Sequence, residues 1–174
     1  TFFPEIIMAE RAKQFSRKDV FISYSRRDKS FVQPLNAALE QSSHEAWIDW
    51  KDIPPSTDWW QQIEAGIEEA HTFIFVISGA SVASRVCRQE IDHADLHNKR
   101  IIPIVRRSDF SREDLHPALA HLQWLYFREE DDFDQAFGAL VKTIDTDLDY
   151  TKSHTQLLMR SLEWHQKDRD PNLL

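Results

Sequence analysis

The chain has 174 residues, 41% hydrophobic and 29% charged, the proportions of a soluble globular protein long enough for one domain with a full core. A formal net charge of −8 argues against nucleic acid as a partner, and three glycines leave no room for a glycine-rich phosphate loop. The single cysteine, Cys87, excludes an internal disulfide or thiolate cluster and fits a reducing cytoplasm, and no apolar run approaches the roughly 18–20 residues of a membrane span.

Residues 1–17 read as an N-terminal extension. Its opening, TFFPEIIMAERAK, has acidic residues inside a short apolar run, unlike a signal peptide. It starts on Thr1, as expected of a piece of a longer chain. DVFISY (19–24) is a β-branched and aromatic run that predicts a strand. KSFVQPLNAALEQ (29–41) has helical spacing at Phe31, Val32, Leu35, Ala38 and Leu39, with Pro34 tolerated if the helix starts near Ser30. EAWIDW (45–50) predicts a second strand. KDIPPST (51–57) is a stiff loop whose Ser56 or Thr57 can cap the helix DWWQQIEAGIEEA.

HTFIFVIS (71–78) is almost wholly apolar, as a central strand covered on both faces should be. In SRVCRQEIDHADLH (84–97), at about 100° per residue, Ala83, Val86, Cys87, Ile91 and Ala94 share an arc of about 140°. Glu90 falls inside that apolar arc. A carboxylate there sits at an edge, paired with Arg85, Arg88 or Lys99, or has a chemical task. RIIPIV (100–105) predicts a fourth strand, SREDLHPALAHL a short helix, WLYF (124–127) a fifth strand, and DDFDQAFGALVKTI (131–144) an amphipathic helix. Strands alternating with helices predict an α/β fold with a parallel sheet flanked by helices, binding its ligand beyond the strands' carboxyl ends. Residues 148–174 break the alternation and read as an extra C-terminal helix, or a linker to a missing region.

DVFISYSRRD, WIDWKDIPPSTDWWQQIEAGIEEA and VCRQEI, followed by RIIPIV, together resemble Toll/interleukin receptor (TIR) domains, with the domain spanning 18–147. FISYSRRD and the two-proline loop resemble prokaryotic members. The resemblance implies a flavodoxin-like, five-stranded parallel sheet and one of two functions. Some members are scaffolds that signal by homotypic assembly. Others cleave NAD+ at the nicotinamide–ribose bond with a glutamate on the third helix, and Glu90 takes that glutamate's place in the motif. NAD+ is then a substrate, and no cofactor is expected.

Nicotinamide leaves as a neutral molecule, so one carboxylate suffices where ordinary glycoside hydrolysis uses two. Arg26 or Arg27 can fork onto the pyrophosphate, although both can also be a solvated turn beside Asp28. Tyr24, Trp47 and Trp50 can offer stacking faces or serve as core aromatics. By family position Trp47 is favoured over Trp50 for the pocket. Ser78 can hydrogen-bond a ribose or amide. Val86 stands where many NAD+-cleaving relatives carry Trp, a departure that favours the assembly reading. The loop 51–58 implies self-association, as in the family, where it commonly contacts a neighbouring subunit. The family also implies a sensor or effector region beyond the C-terminus.

His93 and His97 have a metal-capable spacing, but no Glu follows His93 as in zincins, and no metal site is expected. Cys87 reads as a small core residue. A phosphotransfer receiver would need a phosphoacceptor Asp after the third strand, where Ser78-Gly79 stands.

Overall fold

The run TFIFVI has no polar alternation, so a strand made of it must be covered on both sides. In the computed structural model, which describes residues 19–48 and 59–146, that run is β3 (Thr72–Ile77), buried throughout. It is the centre of an all-parallel sheet ordered β2-β1-β3-β4-β5, as the alternation predicts for the parallel pairing and the family resemblance implies for the flavodoxin-like order. Its partners are β1 (Val20–Ser23), β2 (Ala46–Trp47), β4 (Arg100–Val105) and β5 (Leu125–Tyr126). The connecting helices are α1 (Lys29–Gln41), α2 (Trp59–Glu69), α3 (Arg85–Leu96) and, after β5, α4 (133–146). Of the described residues, 19–136 belong to one compact unit with the sheet, and 137–146 to a second that begins within α4.

Side-chain alternation sorts the strands' residues between two faces. Phe21, Phe73, Phe75 and Ile77 form one core cluster with Ile63 and Ile67 of α2 and Cys87, Ile91 and Ala94 of α3. Val20, Ile22, Ile74 and Val76 alternate onto the opposite face, and α1 buries Val32, Leu35 and Leu39. The register aligns Trp47, Phe21 and Phe73 in one row across β2, β1 and β3. Phe21 stacks on Trp47 at 4.8 Å and on Phe73 at 5.4 Å. This row seats α2.

Two sequence expectations are corrected. SREDLHPALAHL is two 3-10 turns, Arg112–Asp114 and Pro117–Leu119, rather than one helix. Pro117 forces His116 into extended backbone (φ −64°, ψ 134°), which no continuous helix can contain. Ala83 lies outside α3. Gly79–Val82 forms its own helical turn, and Ser84 accepts from the Cys87 N–H to start α3 afresh. The remaining strands and helices fall where the pattern put them: α1 and β4 match at both ends, β1, β3 and β5 lose a residue at each end, and the last helix is shifted two residues on, to 133–146. The extension 1–17, the 51–58 loop with its Ser56 or Thr57 cap, Trp50, and residues 148–174 lie outside the described residues.

A Cβ on Gly66 would meet the Trp47 indole at 2.8 Å, whereas one on Gly138 in α4 meets nothing within 4 Å. Gly66→Ala gains about 1 kcal/mol of helix propensity but forces a stacked ring to move, at a cost of about 1–3 kcal/mol. We expect Gly66→Ala to lower the urea midpoint and exposed Gly138→Ala to raise it, by about 0.5–1 kcal/mol for the latter. Equal shifts in both would show that Trp47 is free to yield.

Candidate active site

β1 ends on Ser23, which alternation places on the same face as Phe21, beneath α3. A hydroxyl at that inward position can donate to a group on the helix, and the group it meets is Glu90. Ser23 Oγ donates to Glu90 Oε2 within the fold. Glu90 is only 7% exposed, so the carboxylate predicted to sit in the apolar arc is indeed inside it. Beside it, Cys87 and Ile91 are buried and Val86 is half-buried.

A second polar pair lies alongside. After β1 the chain makes a 3-10 turn, Arg26–Asp28, closed by the Asp28 N–H donating to the Ser25 carbonyl at 2.7 Å. The turn leaves Arg26 and Arg27 exposed and carries Asp28 inward, to 1% exposure. Ser78 Oγ, just past β3, donates to Asp28 Oδ2 at 2.6 Å. Asp28 Oδ1 is buried with no hydrogen-bond partner among the described residues. Two acidic side chains are thus held by hydroxyls at the carboxyl ends of β1 and β3. The strand order reverses between β1 and β3, the place where such sheets bind ligands.

Cys87 feels both acids. Burial first, then the Glu90 carboxylate, push its thiol up to about 12, with Asp28 adding to the rise and Ser84 and Ser23 opposing it. At neutral pH it is a protonated core group, which removes it as a nucleophile.

The other predicted site residues differ in what they are free to do. Tyr24 is half-buried one residue past β1, and Arg26 is exposed in the turn. Trp47 is half-buried in the aromatic row against Gly66, which commits much of its ring to packing. Ser78 departs from expectation: it is fully buried, its hydroxyl donates to Asp28, and it accepts from the Ser81 N–H as the cap of the following turn. Its hydrogen-bonding capacity is used inside the fold. Trp50 lies outside the described residues.

Sequence reasoning overlooked Ser23 and Asp28 as site residues. The signal for Ser23 was present, since it continues the inward parity of Phe21; nothing in the periodicity marks Asp28 as buried. A groove of about 930 Å3 lies elsewhere, past β3 and β4, lined by Ser84, Arg85, Arg88, Asp109, Phe110 and Asp114 among others. Glu90 does not line it.

The family model described as "TIR domain" matches residues 20–141. The chain belongs to the TIR domain family. Solved TIR structures share the fold. The TIR domain of the Toll-related receptor TRR-2 from Hydra magnipapillata is 22% identical, with a TM-score of 0.62 over 74% of this chain and 98% of that one. The TIR domains of the activated Roq1 resistosome, which directly recognises the pathogen effector XopQ, are 18% identical, with a TM-score of 0.58 over 73% and 99%. The RPS4 and RRS1 TIR domain heterodimer gives 17% and 0.53 over 73% and 95%. A search of curated proteins finds no match.

The TIR domain's single thiol allows a direct test of the site's burial. Iodoacetamide should leave Cys87 unlabelled in the native protein under mildly alkaline conditions and label it on unfolding. Because the folded thiol keeps its proton from pH 9.0 to about 12 while the unfolded one loses it, stability should fall as pH rises through that window. Cys87→Ala should flatten that slope. Fast native labelling would show the site open.

Proposed function

We propose that this TIR domain is an NAD+ glycohydrolase, cleaving the nicotinamide–ribose bond when copies of the chain associate and giving ADP-ribose or a cyclic ADP-ribose product. The observation that supports this reading is the Glu90 carboxylate, buried with Ser23 where the strand order reverses. In the reaction the bond from the ribose anomeric carbon to nicotinamide breaks. Its electron pair passes to the pyridinium nitrogen, so the leaving group departs neutral and no general acid is required. Glu90 stabilises the positive charge that develops on the ribose, or holds the ribose hydroxyls as it holds Ser23, and its low exposure strengthens either interaction. Water then bonds to the anomeric carbon and releases a proton to solvent. An adenine nitrogen or a ribose hydroxyl in water's place gives the cyclic product.

In this reading Arg26, exposed beyond β1, meets the pyrophosphate, and Tyr24 offers a ring face. The 51–58 loop docks on a neighbouring copy, its two prolines reducing the ordering cost. The setting is cytoplasmic, and a region beyond the C-terminus supplies the trigger. A second reading is a signalling module that works by homotypic assembly alone. It is favoured by the near-complete burial of Glu90 against Ser23 and by Val86 in place of an aromatic wall.

Chromatography of nicotinamide released from NAD+ distinguishes the two. The concentrated chain should release nicotinamide at a rate that rises steeply with protein concentration. Glu90→Gln, which still accepts from Ser23, should lower that rate by at least about 100-fold with the fold unchanged. No release under forced clustering would leave the assembly module.

A further inference from the structure

α2 and α3 lie side by side on one face of the sheet, and both run back toward its amino edge, away from Glu90. Their last turns bring together side chains that the NAD+ reading does not use. Glu64 and Glu68 are one turn apart on α2, and His97, which caps the carboxyl end of α3, lies one turn beyond His93, so each pair lines one side of its helix. His93 Nε2 lies 3.0 Å from Glu68 Oε1, and His97 Nε2 lies 3.4 Å from the same oxygen. One ligand atom from each of Glu68, His93 and His97 falls within 4.8 Å of the others.

We propose that Glu68, His93 and His97 form a binding site for a divalent transition metal, Zn2+ by its chemistry, clipping α2 to α3. Donors around a tetrahedral ion at 2.0–2.2 Å stand about 3.4 Å apart, close to the two separations above. Two imidazoles and one carboxylate suit Zn2+ and are a poor set for Ca2+ or Mg2+, which take oxygen ligands. Three protein donors leave a fourth position for water.

Two further observations point the same way. Behind His93, its other ring nitrogen, Nδ1, lies 3.8 Å from Glu64 Oε1, which accepts from Trp60 Nε1 at 2.6 Å, so a fixed carboxylate stands within ion-pair range of the ligating histidine. The carboxyl termini of α2 and α3 both end here, and the partial negative charge of helix ends favours a cation. Lys99 Nζ donates to the Glu68 and Ala70 carbonyls at the end of α2. A search confined to one helix could not find this site, because the third donor comes from α2, 25 residues before His93.

The test uses the full chain, stripped with a chelator and titrated calorimetrically with Zn2+ at neutral pH. Binding of one equivalent, with a rise of about 5 °C in thermal midpoint at saturation, is expected. His93→Asn, His97→Asn and Glu68→Gln should each weaken that binding by about 100-fold or more, and Glu64→Gln by about tenfold. Exposed His121→Asn should leave it unchanged. Far-UV circular dichroism verifies that each variant folds. Co2+ added to the parent chain should give the visible absorption of a tetrahedral site, a readout independent of the variants. Zn2+ binding that survives both histidine changes, or no binding and no tetrahedral Co2+ spectrum, would overturn the proposal.

Discussion

A carboxylate with 7% exposure on an apolar helix face is tolerable only if the fold hands it a donor, because an unpaired buried charge costs several kcal/mol (roughly the range found when one partner of a buried pair is removed). Glu90 therefore constrains what stands opposite. The facing strand must end in a short hydroxyl side chain instead of another Phe or Ile, and it does, at Ser23. The same requirement shapes the neighbouring loop. Asp28 is turned inward by the 3-10 turn after β1, and Ser78, past β3, donates to it. Polar groups that would disrupt the middle of the sheet are gathered where β1 and β3 end.

The position of α3 over that cluster depends on its neighbour. Trp47, Phe21 and Phe73 make a flat aromatic row, and the missing side chain at Gly66 lets α2 come down onto it. With α2 seated there, Ile63 and Ile67 share one core cluster with Ile91 and Ala94, and the ends of the two helices are brought side by side. The same packing gives the pair of helices two polar ends. At one, the acidic pairs sit at the carboxyl edge of the sheet; at the other, two glutamates face two histidines. The proposed chemistry belongs to the first end and the proposed metal to the second.

Much of the fold was legible in the sequence because parallel α/β proteins write it in one dimension. TFIFVI, apolar without alternation, reads as the central strand; RIIPIV matches β4 residue for residue; KSFVQPLNAALEQ matches α1 at both ends. The misreadings arose from local backbone rules overriding periodicity. Pro117 broke a predicted helix, and Ser84 restarted one at a new cap. The anomaly of Glu90 could be read from helical spacing alone, since it is a property of one helix.

What spacing cannot carry is the identity of partners across the fold. Ser23 and Glu90 are 67 residues apart, and Asp28 and Ser78 are 50 apart. His93 and Glu68 meet only because α2 and α3 pack together. By itself the sequence determined the order of strands and helices, the apolar faces, the family, and the one carboxylate out of place. Only the tertiary structure decided which hydroxyl holds that carboxylate, that Asp28 is buried while Arg26 is not, that Ser78 works inside the fold, and that two histidines face two glutamates. The physical reason is that periodicity records which side of an element is buried, whereas a hydrogen bond or a metal site depends on distances between elements, set by how their surfaces pack.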